Sequence, residues 1–227
     1  MSAPASVPER LAAVRERVAA AARATGRAPE DVTLVVVTKE IEVERVREAV
    51  DAGAADLGEN RAQELVPKAV ALASAGAQEV RWHFIGRLQR NKVRAAAPHV
   101  ALWESVDRAE LAAEIGRRAP GAAVLVQVNV AGEAQKGGCA PEDVDALVET
   151  CRASGCRVDG LMTVAALAGD PRPVFARLRR MTDDLGLTVC SMGMSGDYEA
   201  AIAEGATMVR VGSAIFGPRP GPAVARR

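Results

Sequence analysis

The sequence predicts a single (β/α)8 TIM barrel carrying an extra helix at its N-terminus. Short apolar or β-branched runs alternate with helical patterns through most of the chain, and eight such units fill about 200 residues, the size of a small closed parallel barrel. The same alternation permits an open, doubly wound sheet, but that fold usually carries a glycine-rich turn after its first strand, and here the turn is Thr38-Lys39-Glu40.

The elements follow in order. Ser6 and Glu9 have the capping-box spacing, in which the serine hydroxyl accepts from the backbone N–H three residues on and the glutamate reaches back. Leu11, Val14, Val18 and Ala21 then recur at spacings of three or four, which predicts a helix over about 6–25 with Gly26 as its stop signal. The run 32–38, VTLVVVT, is β-branched and nearly all apolar, as in a strand covered on both faces. An amphipathic helix at 42–52, a short strand at 55–58 and a helix at 60–74 repeat the unit. Further strands are expected at 82–85, 101–104, 123–130, 157–161, 187–190 and 207–211. Helices are expected at 88–96, 107–118, 141–153, 171–185 and 196–204, with Gly or Pro near most ends. The barrel thus spans about 32–217, the tail 218–227 is proline-rich and expected to fray, and residues 1–227 form one domain.

Composition removes several function classes. The 227 residues carry 29 basic and 29 acidic side chains, so the broad positive footprint of a nucleic-acid-binding protein is missing. No run approaches the roughly 18 consecutive apolar residues of a membrane span, and the N-terminus has no basic segment followed by an apolar core, so secretion is not expected. Cys139, Cys151, Cys156 and Cys190 contain no CxxC pair and have two histidines to help them, which argues against structural zinc and for a reduced, cytoplasmic setting. Aromatic residues are 3% of the chain and Tyr198 is its single tyrosine. Because only four of the 29 basic residues are lysines, a lysine in apolar surroundings is informative here.

In such barrels the chemistry sits at the C-terminal ends of the strands. Those positions offer Lys39, Glu59, Asn60, Asn129, Met162 and Thr163, with His83 on strand three. Lys39 directly follows the apolar run 32–38; a partly desolvated lysine has a lowered pKa and attacks carbonyls, whereas a lysine snorkelling from the rim does neither. Two small-residue turns, SMGMSG at 191–196 and GSAIFG at 212–217, follow strands seven and eight. Backbone N–H groups in such turns close around an anion, and the loops after strands seven and eight are the recurrent phosphate site of this fold; tight turns and helix caps use the same residues. Strand alternation puts Met208, Arg210 and Gly212 on one face. If Gly212 faces the phosphate, Arg210 points inward and needs either a protein carboxylate or a ligand acceptor.

An aldehyde-capturing lysine, a phosphate corner and an inward arginine describe a pocket for pyridoxal 5'-phosphate (PLP). The segments GEN, WHFIGRLQRNKV, VLVQVNVAGEAQKGG, GLMTV, SMGMSGDYEAAIAEGA and TMVRVGSAIFG resemble, in order, the motifs of the pyridoxal phosphate homeostasis proteins (the YggS/PROSC family) over about 32–217. Departures are small: the family commonly has Ser where Thr38 stands, and the stretch after Lys39 is unusually acidic. The resemblance implies a barrel of the alanine racemase N-terminal type in which Lys39 carries PLP as an aldimine. Ser195, Gly212 and Ser213 would hold the phosphate, Arg210 would face the pyridine nitrogen, and Asn60 and Met194 would lie near the cofactor. His83 is either a ligand contact or a packed strand histidine.

The implied function is intracellular vitamin B6 homeostasis: reversible holding of PLP and its release to PLP-dependent apo-enzymes, without significant catalysis. Chemistry supports the last point, since an arginine donates a hydrogen bond but does not readily supply the ring proton that makes PLP an electron sink. Racemases of this barrel type add a tyrosine from a second domain, which this sequence does not contain. Two other functions stay open: an amino-acid racemase using Lys39 and a second base, and a Schiff-base aldolase acting on a phosphorylated ketone. Lys136, in the loop after strand five, is a further amine able to capture an aldehyde.

Overall fold

A computed structural model of the chain describes residues 5–77, 79–133, 136–165 and 169–218. Most of the tail expected to fray lies outside these residues. The capping box forms as the sequence predicts: the Ser6 hydroxyl accepts from the Glu9 N–H, and the Glu9 carboxylate accepts from the Ser6 N–H at 2.7 Å. Helix α1 (Val7–Ala24) follows, burying Val7, Leu11, Val14, Val18 and Ala22 along one stripe.

The barrel strands are β1 (Thr33–Val37), β2 (Asp56–Glu59), β3 (Arg81–Phe84), β4 (Val100–Val106), β5 (Ala123–Gln127), β6 (Arg157–Met162), β7 (Val189–Ser191) and β8 (Met208–Val211). They close in sequence order, and every neighbouring pair is parallel. Between them run α2 (Val43–Asp51), α3 (Ala62–Ser74), α4 (Val93–Ala96), α5 (Ala109–Arg118), α6 (Val144–Ala153), α7 (Arg172–Asp184) and α8 (Tyr198–Ala203), with α9 (Ser213–Phe216) after β8. The extra helix α1 packs on α2, α8 and α9, covering the seam where β8 meets β1.

Two separate apolar layers result from strand alternation. Val35, Leu102, Ala123, Leu125, Met162 and Met208 fill the barrel interior. Their neighbours Val36, Trp103, Val124, Leu161, Val209 and Val211 face outward into the layer shared with the helices. Each fully buried aliphatic side chain in these layers stabilises the fold by about 1.5–3 kcal/mol.

Three of the differences from the sequence expectation have a plain physical reason. The helix expected at 88–96 is a 3-10 turn at Arg90–Lys92 followed by the single turn α4, and Pro98 has no N–H with which to carry it further. Strand β5 stops at Gln127 instead of 130: Val128 bridges Cys139, and the Asn129 N–H donates to the Cys139 carbonyl, so the loop takes over the hydrogen bonding. Strand β7 runs to Ser191 because that hydroxyl is satisfied inside the barrel, where it donates to Glu104 Oε2 at 2.6 Å.

Candidate functional site

Lys39 follows β1 and is half-buried. It lines a small cavity of about 30 Å³ together with Val37, Ile41, Gly212, Ser213 and Phe216. The lysine and the turn after β8 therefore border the same small cleft. Thr38 is fully buried and donates from Oγ1 to Glu59 Oε2 at 3.0 Å. The backbone carbonyl of Thr38 accepts from Lys68 Nζ at 2.7 Å, and the N–H of Glu40 donates to Glu64 Oε2 at 2.8 Å.

In the turn after β7, the Ser195 hydroxyl oxygen accepts from the N–H groups of Gly212 (3.1 Å) and Ala214 (3.4 Å), so the two small-residue turns meet and these donors converge on it. The Met194 N–H donates to Asp197 Oδ1 at 2.6 Å, fixing the first turn. A Cβ on Gly212 would sit 3.1 Å from the Val37 carbonyl oxygen and 3.2 Å from Val37 Cβ. The residue with no side chain is thus the one that lets β8 approach β1 beside Lys39. A converging pair of backbone donors, a serine hydroxyl and an adjacent amine form a donor set suited to a phosphorylated aldehyde such as PLP.

Arg210 is buried inside the barrel. Its Nη1 donates to the Ser191 hydroxyl, its Nη2 donates to the Thr163 carbonyl at 2.7 Å, and Glu104 Oε2 lies 3.8 Å from Nη1. Burial pushes the guanidinium below its usual pKa while Glu104 pulls the other way, and an arginine remains a cation under either influence. Glu104 is itself fully buried; burial is the largest influence and raises its pKa, but the hydrogen bond and charge of His83, the charge of Arg210 and the Ser191 hydroxyl together outweigh it, and the net direction is down. His83 bridges two carboxylates, with Nδ1 2.7 Å from Glu104 Oε1 and Nε2 3.0 Å from Asp56 Oδ1. Burial opposes its charge, yet the hydrogen bonds to Asp56 and Glu104 lift it to about 9, which favours the imidazolium at neutral pH. Asp56 in turn is held by Arg81 and His83 at about 2, despite burial acting upward.

The site residues expected from sequence fall into two groups. Lys39, Gly212 and Ser213 share the cavity, and Ser195 bonds into it. Asn60 sits at the end of β2, half-buried, with Oδ1 buried and unpartnered among the described residues. Its backbone is pressed against Gly86, where a Cβ would come within 2.2 Å of the Asn60 carbonyl oxygen, so only glycine fits at that step. His83 is a packed strand histidine, held by carboxylates of the protein. Lys136 lies apart from Lys39: its Nζ donates to Glu133 Oε1 at 2.8 Å, and it lines a separate concavity of about 570 Å³ with Asn129 and Arg177. Tyr198 is buried under the Arg17 guanidinium, which lies 5.2 Å from its ring centre, on the α1 side of the barrel.

Sequence reasoning missed Lys68, Glu64, Asp56 and Glu104 as members of the site's support. Signals existed for two of them. Lys68 shares a helical face with Leu65 and Leu72, and Glu104 alternates with the inward Leu102.

A closed parallel barrel with this donor set is that of the alanine racemase N-terminal domain class, and the family model for the alanine racemase N-terminal domain matches residues 10–220. The chain is similar to proteins named pyridoxal phosphate homeostasis protein. The one from Pseudomonas aeruginosa is 44% identical over 224 residues, covering 94% of this chain and 96% of that protein. The Aquifex aeolicus protein is 42% identical over 225 residues, covering 93% and 97%. Among solved structures, PipY of Synechococcus elongatus without PLP has a TM-score of 0.82 at 33% identity, covering 93% of this chain and 100% of that one. PipY with PLP bound has a TM-score of 0.79 at 32% identity, with the same coverage. An alanine racemase from Corynebacterium glutamicum shares the fold at a TM-score of 0.64 and 17% identity, this chain spanning 63% of its length. The chain belongs to the pyridoxal phosphate homeostasis protein family.

Proposed function

We propose that this chain is a PLP-holding protein of vitamin B6 homeostasis, acting as one domain, and that Lys39 bonds the cofactor covalently and reversibly. The observation that carries this reading is the placement of Lys39 beside Gly212 and Ser213, where the turn after β7 meets the turn after β8 through Ser195. When bound, PLP supplies an aldehyde, which an amine captures and water or another amine releases. Ser195, Gly212 and Ser213 with Ala214 N–H would hold the phosphate, Arg210 would offer the ring nitrogen a hydrogen-bond donor, and Asn60 and Met194 would lie near the cofactor.

Two placements support holding rather than turnover. Arg210 is a fixed cation tied to Glu104, Ser191 and Thr163, so it stabilises an unprotonated ring nitrogen, the form least able to draw off electrons. Tyr198 faces α1, with Arg17 over its ring, and does not serve as a second base at the cavity. The recipients of the released cofactor are PLP-dependent apo-enzymes, and the setting is the cytoplasm; no helix among the described residues is long and apolar enough to cross a membrane.

Borohydride reduction of the PLP-loaded protein, followed by peptide mass mapping, tests the attachment. With only four lysines in the chain the assignment is unambiguous. Pyridoxyl mass on Lys39 is expected, and its appearance on Lys136 or elsewhere in place of Lys39 overturns the reading. Steady interconversion of L- and D-alanine, absent from Lys39→Ala, would instead establish a racemase.

A further inference from the structure

We propose that Lys68 and Glu64, both on α3, are positioning residues for the Lys39 amine, clamping the main chain on either side of it. This rests on the reading of Lys39 as the attachment point. Lys68 Nζ donates to the carbonyl one residue before Lys39, at 2.7 Å, and Glu64 Oε2 accepts the N–H one residue after it, at 2.8 Å. Lys68 and Glu64 also bond each other at 3.2 Å, one helical turn apart, so the two peptide units flanking Lys39 are tied to a single turn of α3.

Three features mark this as more than a surface pair. Lys68 is buried, with 8% exposure, and faces inward beside Leu65 and Leu72. Its ammonium has an acceptor for each of its three N–H groups: the Thr38 carbonyl, Glu59 Oε2 at 2.8 Å and Glu64 Oε2. Glu40 has φ of 61°, a left-handed conformation that a non-glycine residue keeps only where its surroundings hold it, and the Glu64 carboxylate on its N–H is such a hold. Together they fix the Cα–Cβ direction of Lys39 toward the cavity it shares with Gly212 and Ser213. The clamp touches only the bond-forming end of the site; the phosphate corner is built from the turns after β7 and β8.

The test uses two ligands with the same ring and phosphate: pyridoxal 5'-phosphate, whose aldehyde bonds an amine, and pyridoxine 5'-phosphate, whose alcohol does not. Equilibrium binding to the full chain gives the advantage of aldehyde over alcohol. Glu64→Ala and Lys68→Met are expected to cut that advantage by about tenfold or more, since misplacing a reacting group by an ångström is enough to do so. The affinity for the alcohol is expected to stay within about twofold, as for sites that do not share partners. Glu64→Gln keeps an oxygen for the Glu40 N–H and is expected to restore most of the advantage. Lys68→Met strands Glu59, so if it does not fold, Glu64→Ala, at a side chain 23% exposed, carries the test alone. An aldehyde advantage equal to wild type in Glu64→Ala overturns the proposal, as does a parallel loss for both ligands, which is the mark of a merely structural role. A wild type with no aldehyde advantage overturns the reading of Lys39 itself.

Discussion

Glu59 at the end of β2 and Glu104 near the end of β4 are both fully buried carboxylates beside cations, yet they titrate in opposite directions. At Glu59 burial prevails over the hydrogen bond from Lys68 and the pKa rises. At Glu104 burial is outweighed, first by the hydrogen bond to His83 and then by the charges of His83 and Arg210, and the pKa falls. The difference lies in the partners: Lys68 divides its ammonium between Glu59, Glu64 and a carbonyl, and Glu64 adds a like charge, whereas Glu104 faces two cations, Arg210 and the His83 it shares with Asp56. At equal depth, the partners decide which way a buried carboxyl shifts. The two walls accordingly do different work, one holding main chain around Lys39 and the other fixing the charge of Arg210.

The largest effect that would break this contrast is on stability. Glu104→Gln leaves His83 and Arg210 as neighbouring buried cations and is expected to lose ~3–5 kcal/mol of unfolding free energy. Glu59→Gln leaves Lys68 with Glu64 and is expected to lose only ~1–2 kcal/mol. Chemical denaturation of both at neutral pH decides the order, and an equal or inverted pair refutes the contrast.

A pH series sharpens it. His83 is lifted from 6.5 to about 9 in the fold, so its contribution is complete below pH 6.5 and is lost as pH rises through about 9. Wild type is expected to lose on the order of a few kcal/mol over that window, and His83→Gln to show a flatter curve there. Asp56, held at about 2 instead of 3.8, contributes above 3.8 and loses its effect only as pH falls toward 2. Matching slopes for wild type and His83→Gln between pH 6.5 and 9 would show that His83 is not charged.

The smallest effect lies at Glu40. Glycine there relieves the left-handed conformation but gains freedom in the unfolded chain, so Glu40→Gly is expected to raise stability by only ~0.5 kcal/mol. A thermal melt that moves downward would mean that the exposed Glu40 side chain holds the turn by more than its backbone.

What the sequence made legible tracks how local each feature is. Lys39 follows directly from an apolar run, the two turns from their small residues, and the inward Arg210 from period-two alternation against Val209 and Val211. All three carry short-range signals. The partner of Arg210 was open between a carboxylate and a ligand, because Glu104 is 106 positions away in the chain and only barrel closure and register bring it near. His83 was ambiguous for the same reason, its two carboxylates coming from neighbouring strands. The early end of β5 was hidden because the apolar pattern of 123–130 continues while the hydrogen bonds pass to Cys139. Lys68 was overlooked although lysine is scarce, since a lysine in a helix reads as solvated until its face is known.

The groups Arg81, Asp56, His83, Glu104 and Arg210 run from the N-terminal ends of the strands to the cavity end, alternating in sign at every step. Such a row resembles a line of ions in a salt crystal: taking the proton from its central member would leave the two anions facing one another without the cation between them. The interior thereby keeps one pattern of charge across the ordinary pH range, and whatever rests against its last cation meets an invariant electrostatic surface.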